Sequence, residues 1–164
     1  MKAPLSLKGR AIALLAQREH SETELRRKLQ RWASAGDADM DELAARVAAR
    51  IDELVAWLNE HDYLSDERFV ESRVHARAAR FGNLRIRQEL AQHGLAMSAQ
   101  ATQSLKDSEL QRAAEVWRRK FGSPAATPAE RARQSRFLAA RGFSGEVIGR
   151  VMRRSGHIDQ DDAA

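Results

Sequence analysis

Two six-residue segments, Leu90-Ala91-Gln92-His93-Gly94-Leu95 and Leu138-Ala139-Ala140-Arg141-Gly142-Phe143, superpose at an offset of 48 residues. Each pairs a glycine with a following apolar residue, the pattern of a helix C-terminus with a left-handed cap. Phe81-Gly82 and Phe121-Gly122 superpose at an offset of 40, and the difference of eight is a loop inserted around Pro124 and Pro128. The order helix, Gly, helix, Gly-apolar, Ser-capped helix therefore occurs twice. The chain before His61 reads as a third, more divergent copy, with Leu25 and Leu29 in its middle helix. Three-helix units of this size cannot bury an apolar face alone, so they must stack.

Composition agrees with helices. Of 164 residues, 29 are Ala, while Val, Ile and Thr together number 15 and proline three. Such a chain disfavours sheet and gives each helix few large side chains. With no cysteine, disulfides, thiolate metal sites and cysteine nucleophiles are excluded. No apolar run approaches the length of a membrane span, and MKAPLSLKGR lacks the apolar stretch of a signal peptide. A soluble cytoplasmic protein is expected.

Helix starts are written locally. Ser21-Glu22-Thr23-Glu24 and Thr127-Pro128-Ala129-Glu130 are capping boxes, each with its Glu reaching back to the cap amide, the second with Pro at the first helical position. Ser65, Asn83, Ser98 and Ser144 are further caps. Apolar stripes run through Ala11, Ile12, Leu14 and Leu15, through Leu25, Leu29 and Trp32, and through Leu43, Val47, Ile51, Leu54, Val55 and Leu58. Ile86 and Leu90, then Leu110, Ala114, Trp117 and Phe121, then Phe137 and Leu138, and finally Val147, Ile148, Val151 and Met152 continue them. Gly36-Asp37-Ala38-Asp39 breaks the chain. The helix from Ser65 runs to Phe81 and stops at a left-handed Gly82, and separate helices start at Ser98 and carry Leu110. Nine helices and no strand result. The expected domains are 1–62 with a long third helix, 63–107, 108–156, and a disordered acidic tail over 157–164.

Catalytic chemistry finds no support in the residues. His20, His61, His75, His93 and His157 show no metal-ligand spacing, and phosphate-binding glycine loops are absent. Acidic pairs such as Asp66-Glu67 begin helices, where carboxylates complement the dipole. No catalytic, cofactor or metal residue is assigned; the chain is read as a non-enzyme.

Charge is unevenly placed. The chain carries net +5, but residues 1–60 hold ten cations and ten anions. Arg68 to Arg87 holds six Arg and one acid, Glu71, while Arg112 to Arg154 holds eleven cations and three acids. Candidates for an anion-facing surface are Arg73, Arg77, Arg80, Arg85 and Arg87 in the second repeat. In the third they are Arg118, Arg119, Lys120, Arg133, Arg136 and Arg141. Arg73, Arg77 and Arg80 are spaced to share a helix face. Few aromatics interleave this charge, which argues against base stacking as the main mode.

HDYLSDERFVESRV, ARFGNLRIRQELAQHGL and SRFLAARGFSGEVIGRVM closely resemble the RecX family. The matching segments are Tyr63 to Phe69, Gly82 to Gly94 and Arg136 to Ile148, and SETELRRKL fits the first-repeat helix. The resemblance covers about residues 8–154. Asp62 departs from it where Gly is usual, and Asn83 where Pro is common. What it implies is an all-α, elongated and curved protein of three tandem three-helix repeats. The implied activity is negative regulation of the RecA recombinase: a monomer lodged on the RecA filament over single-stranded DNA, restraining ATPase, strand exchange and co-protease activity in recombination and the SOS response. Double-stranded DNA is a further partner, and no cofactor belongs to the family. The residues alone also admit a helix-turn-helix-like DNA-binding transcription regulator, against which the basic residues spread over several helices.

Overall fold

The computed structural model describes residues 5–34 and 41–155. The expected break at 36–39, the Leu43 side chain and the 157–164 tail lie outside them. Eight helices, and no strand, occur among the described residues: α1 Leu7–Leu15, α2 Glu22–Ser34, α3 Asp41–Glu60, α4 Asp66–Ala78, α5 Asn83–Ala91, α6 Ala99–Lys120, α7 Pro128–Ala140 and α8 Gly145–Ser155.

Local signals explain most boundaries. The side chain of Ser98 accepts the Ala101 N–H, Ser65 that of Arg68, Ser144 that of Val147 and Thr127 that of Glu130. Backbone φ is left-handed at Gly94, Gly122 and Gly142. Three expectations are corrected. The two helices expected between Ser98 and Phe121 are the single α6, because no Gly or Pro interrupts that stretch. Helix α4 ends at Ala78 rather than Phe81. Gly82 is extended (φ −78°) and is itself the N-cap of α5, so Asn83 lies inside the helix rather than capping it. The capping boxes are also incomplete. Ser21 Oγ accepts the Glu24 N–H at 3.1 Å, but the Glu24 carboxylate turns to Arg18 and Lys28. Glu130 reaches past Thr127 to the Ala126 N–H at 2.8 Å.

The chain divides into two compact units, Met1–Ser72 with His93–Leu95, and Arg73–Gln92 with Ala96–Ala164. The first buries Ala11, Leu14, Leu25, Leu29, Ile51, Val55, Leu58 and Leu64 in one core. Ile12 and Trp32, expected inward, are 37% and 38% exposed. In the second, Ala113, Trp117, Leu138, Phe143, Val147, Val151 and Met152 share a core. Ile86 and Leu90 are also buried. The Trp117 indole N–H is satisfied inside by the buried Gln134 Oε1 at 2.8 Å, as a buried indole requires.

Each unit uses the same device at a middle-helix start. In the first, the Glu22 N–H donates to Asp66 Oδ1 at 2.9 Å, and Thr23 Oγ1 donates to the His93 carbonyl at 3.1 Å. In the second, the Asn83 N–H donates to Glu109 Oε1 at 3.0 Å, and the Gly82 N–H donates to the Arg141 carbonyl at 2.9 Å. Orphan amides at a helix start need such acceptors. Here a carboxylate far along the chain takes the first helical amide in both units, while the turn carbonyl takes the Thr23 hydroxyl in one and the Gly82 amide in the other. His93 and Arg141 are the equivalent positions of the 48-residue repeat. Gly82 and Gly142 meet backbone to backbone: a Cβ on Gly82 would stand 2.2 Å from the Gly142 carbonyl oxygen, and one on Gly142 2.5 Å from the Arg85 nitrogen.

Candidate functional site

All eleven cations singled out in the sequence fall in the second unit. Arg73 and Arg77 lie on α4, but Arg80 lies in the turn after Ala78, so the three do not share one helix face. Arg85 and Arg87 are on α5. Arg118, Arg119 and Lys120 form the last turn of α6, where cations complement the helix dipole. Arg133 and Arg136 are on α7, and Arg141 is its C-cap.

Phe81 is the hub. Its ring has the guanidinium carbons of Arg77, Arg80, Arg85 and Arg141 at 5.4, 5.7, 5.8 and 6.0 Å from its centroid. A ring face is electronegative, so each cation gains a modest attraction there. Four guanidiniums around one ring repel one another, and Glu89 relieves part of that repulsion. Its carboxylate takes Arg77 Nε at 2.9 Å and Arg85 Nε at 3.4 Å. Further along, Arg141 sits 4.4 Å above the Phe137 ring, and Phe137 packs edge-on against Phe121 at 5.2 Å. Arg133 lies 5.8 Å from Phe121. Aromatic rings therefore do interleave the charge. The sequence hid this because Phe81, Phe121 and Phe137 stand 40 and 16 residues apart.

Beside this hub a groove of about 230 Å³ is lined by Ala79, Arg80, Val116, Arg119, Lys120, Phe137 and Arg141. Four of its seven lining residues are cations, and none is acidic. Arg118 and Arg119 also reach Glu115 Oε2 and Oε1, at 2.8 and 2.9 Å. Arg87 and Arg136 are exposed.

Arg112 was not among the candidates, yet it holds the hub in place. One of its terminal nitrogens donates to the Ala78 and Phe81 carbonyls at 2.9 and 2.8 Å, the other to the Leu105 carbonyl at 3.0 Å and to Asn83 Oδ1. Burial pushes its pKa below the ordinary guanidinium value, against the nearby Glu109 charge. The fork of donors on arginine suits it to tie a turn of carbonyls to a helix. Nothing in its sequence context separates it from the surface arginines around it. No group of His, Asp and Glu that could hold a metal ion occurs among the described residues. No helix there is long and apolar enough to cross a membrane.

Comparison with known proteins gives one consistent result. Residues 65–100 match the family description "RecX, second three-helix domain", and residues 107–152 match "RecX, third three-helix domain". The chain is 44% identical over 153 residues to the "Regulatory protein RecX" of Ralstonia nicotianae, covering 92% of this chain and 89% of that one. It is 47% identical over 160 residues to the protein of that name from Leptothrix cholodnii, covering 96% and 94%. With the Herbaspirillum seropedicae protein it shares 45% identity over 163 residues, covering 98% and 97%. Its fold is similar to the crystal structure of RecX from Lactobacillus salivarius, with a TM-score of 0.62 at 15% identity, over 92% of this chain and 94% of that one. On the identity it shares with these regulators over nearly its whole length, the chain belongs to the RecX family of regulatory proteins.

Proposed function

We propose that this protein restrains the RecA recombinase. It binds the RecA filament on single-stranded DNA as a monomer in the cytoplasm, and so lowers ATP hydrolysis, strand exchange and co-protease activity. Recombination and the SOS response are damped accordingly. The observation that carries the reading is the groove of Arg80, Arg119, Lys120 and Arg141, lined by no carboxylate and set in one unit with the other seven candidate cations. A surface of that kind attracts a polyanion or an acidic protein face at long range. It then neutralises phosphates by direct contact, with a linear log–log loss of affinity in salt. Duplex DNA meets the same cations through its phosphates.

The test is RecA on single-stranded DNA, assayed for ATP hydrolysis and for cleavage of the SOS repressor, with and without the purified protein. Both rates are expected to fall as the protein is added. Unchanged rates at saturating protein would overturn the proposal.

A further inference from the structure

A second cluster of rings lies in the other unit, far from the basic groove in sequence and built differently. Helix α3 ends in a two-bond turn: the Tyr63 N–H donates to the Leu58 carbonyl at 2.9 Å and the Asp62 N–H to the Asn59 carbonyl at 3.2 Å. The turn needs a left-handed residue, and Asp62 supplies it at φ 58°. Its effect is to swing Tyr63 back beside Trp57. The two rings stack with centroids 5.5 Å apart and an interplanar angle of 19°, and His61 stacks on Trp57 at 4.2 Å and 25°. Three near-parallel rings therefore stand on the surface, and Tyr63 remains 48% exposed. Cations flank them. Lys8 Nζ lies 3.3 Å from the Trp57 ring centroid, and a groove of about 270 Å³ beside Trp57 is lined by Lys8 and Arg50, with Glu53 as its one acid.

We infer that the exposed ring of Tyr63, backed by Trp57, is a stacking platform for an unpaired base of single-stranded DNA, with Lys8 and Arg50 beside it for its phosphates. The inference deepens the function proposed above by naming a contact to the DNA strand, and it rests on that reading for the choice of DNA. A protein side chain would bury the tyrosine edge as readily as its face. Parallel rings instead continue naturally into a further parallel ring, and every base has such a π-face. The adjacent cations match the phosphate that each base carries. The apolar contact of Tyr63 with the end of α3 accounts for the ring's position but not for its half-exposed surface.

The experiment uses the full chain and a short single-stranded oligodeoxynucleotide carrying one fluorescent adenine analogue, whose emission is quenched on stacking. Wild type and Tyr63→Phe are expected to quench it, while a duplex of the same sequence is not quenched. Tyr63→Leu keeps the apolar contact but lacks a π-face, and is expected to bind about tenfold more weakly with no quenching. Ultraviolet cross-linking of the wild-type complex, read by mass spectrometry, provides a measurement independent of any variant and is expected to label the peptide containing Trp57 and Tyr63. Equal quenching and affinity for Tyr63→Leu, absence of any quenching by wild type, or cross-links confined to other peptides would each overturn the platform. Loss of RecA inhibition with quenching intact would overturn only the regulatory proposal.

Discussion

Replacing Gly142 by Ala should be among the most damaging single-methyl additions this chain can suffer. Gly142 has φ +82°, and an added Cβ would stand 2.5 Å from the Arg85 nitrogen and Cβ and 3.0 Å from its Cα. Left-handed backbone costs an L-residue about 1–2 kcal/mol. Forcing a methyl into packed backbone costs about 1–3 kcal/mol more. The Gly82 N–H bond to Arg141 and the Leu84 N–H bond to the Gly142 carbonyl, at 2.9 and 3.1 Å, are then pulled apart. Against this, the unfolded chain loses freedom, returning about 0.5–1 kcal/mol. A net loss of about 3 kcal/mol follows. Gly94 is the internal control: its φ is +73°, but nothing lies within 4 Å of a built Cβ. Gly94→Ala should therefore cost only about 1 kcal/mol. In urea denaturation followed by far-ultraviolet circular dichroism, the midpoints should fall by ~1.5 M and ~0.5 M respectively, for a slope of about 2 kcal/mol/M. Equal losses at the two glycines would refute the backbone contact as the reason for Gly142.

Asp62→Gly relieves a left-handed residue with nothing else changed and should raise the urea midpoint by the equivalent of about 0.5–1 kcal/mol; a lowered midpoint would count against the α3 turn. Leu90 and Leu138 are 1% and 0% exposed, so Leu→Ala at either should cost about 2–5 kcal/mol in the same assay, and a loss below about 0.5 kcal/mol would contradict their burial. Acid should act in two stages. His20, buried, donates from Nδ1 to the Arg18 carbonyl and faces the Lys28 ammonium with Nε2, both at 2.9 Å; burial first, then the charges of Arg18 and Lys28, hold its pKa below 6.5 despite that backbone bond and Glu24. Its contribution is complete above pH 6.5 and declines below it. Burial alone would raise Glu24, but hydrogen bonds from Arg18 and Lys28 overcome this and bring it from 4.5 to about 2; its contribution is complete above pH 4.5 and is lost toward pH 2. Glu24→Gln should remove the second decline in a melting-temperature profile and leave the first, and a profile unchanged by it would contradict the pairing.

Much of the fold is legible because its signals are short-range. A serine three residues before an amide, a glycine before an apolar residue and stripes at helical spacing each act within one or two turns, as Ser98, Gly94 and Leu138 show. Most of the errors arise where the deciding partner is distant. Gly82 reads like any helix-stopping glycine, and only Gly142, sixty residues on, reveals that it is there for close approach. Within α6, the cap at Ser98 reads as one helix start and the stripe from Leu110 to Phe121 as a second helix. No breaker is present, so the helix continues. The candidate cations were visible as a charge bias, but their convergence on Phe81 was not, since α4, α5 and the end of α7 contribute to it from three separate stretches. The stacking of Tyr63 on Trp57 is not legible in the sequence, because an aromatic six residues from another signals nothing until a left-handed Asp62 folds them together.

The central claim is that the second unit's basic groove delivers restraint to RecA. It is tested most directly by RecA ATPase on single-stranded DNA with a charge-reversed protein. Arg80→Glu with Lys120→Glu is the informative pair: both are exposed and both line the groove, whereas Arg77 is committed to Glu89. The matched control is Arg27→Glu with Arg31→Glu, two exposed cations of α2 in the first unit. The account predicts that wild type and control lower the ATPase alike, while the groove variant, still folded by circular dichroism, needs at least about tenfold more protein for the same effect, the expected scale for losing two phosphate or carboxylate contacts. Equal inhibition by all three proteins would contradict it.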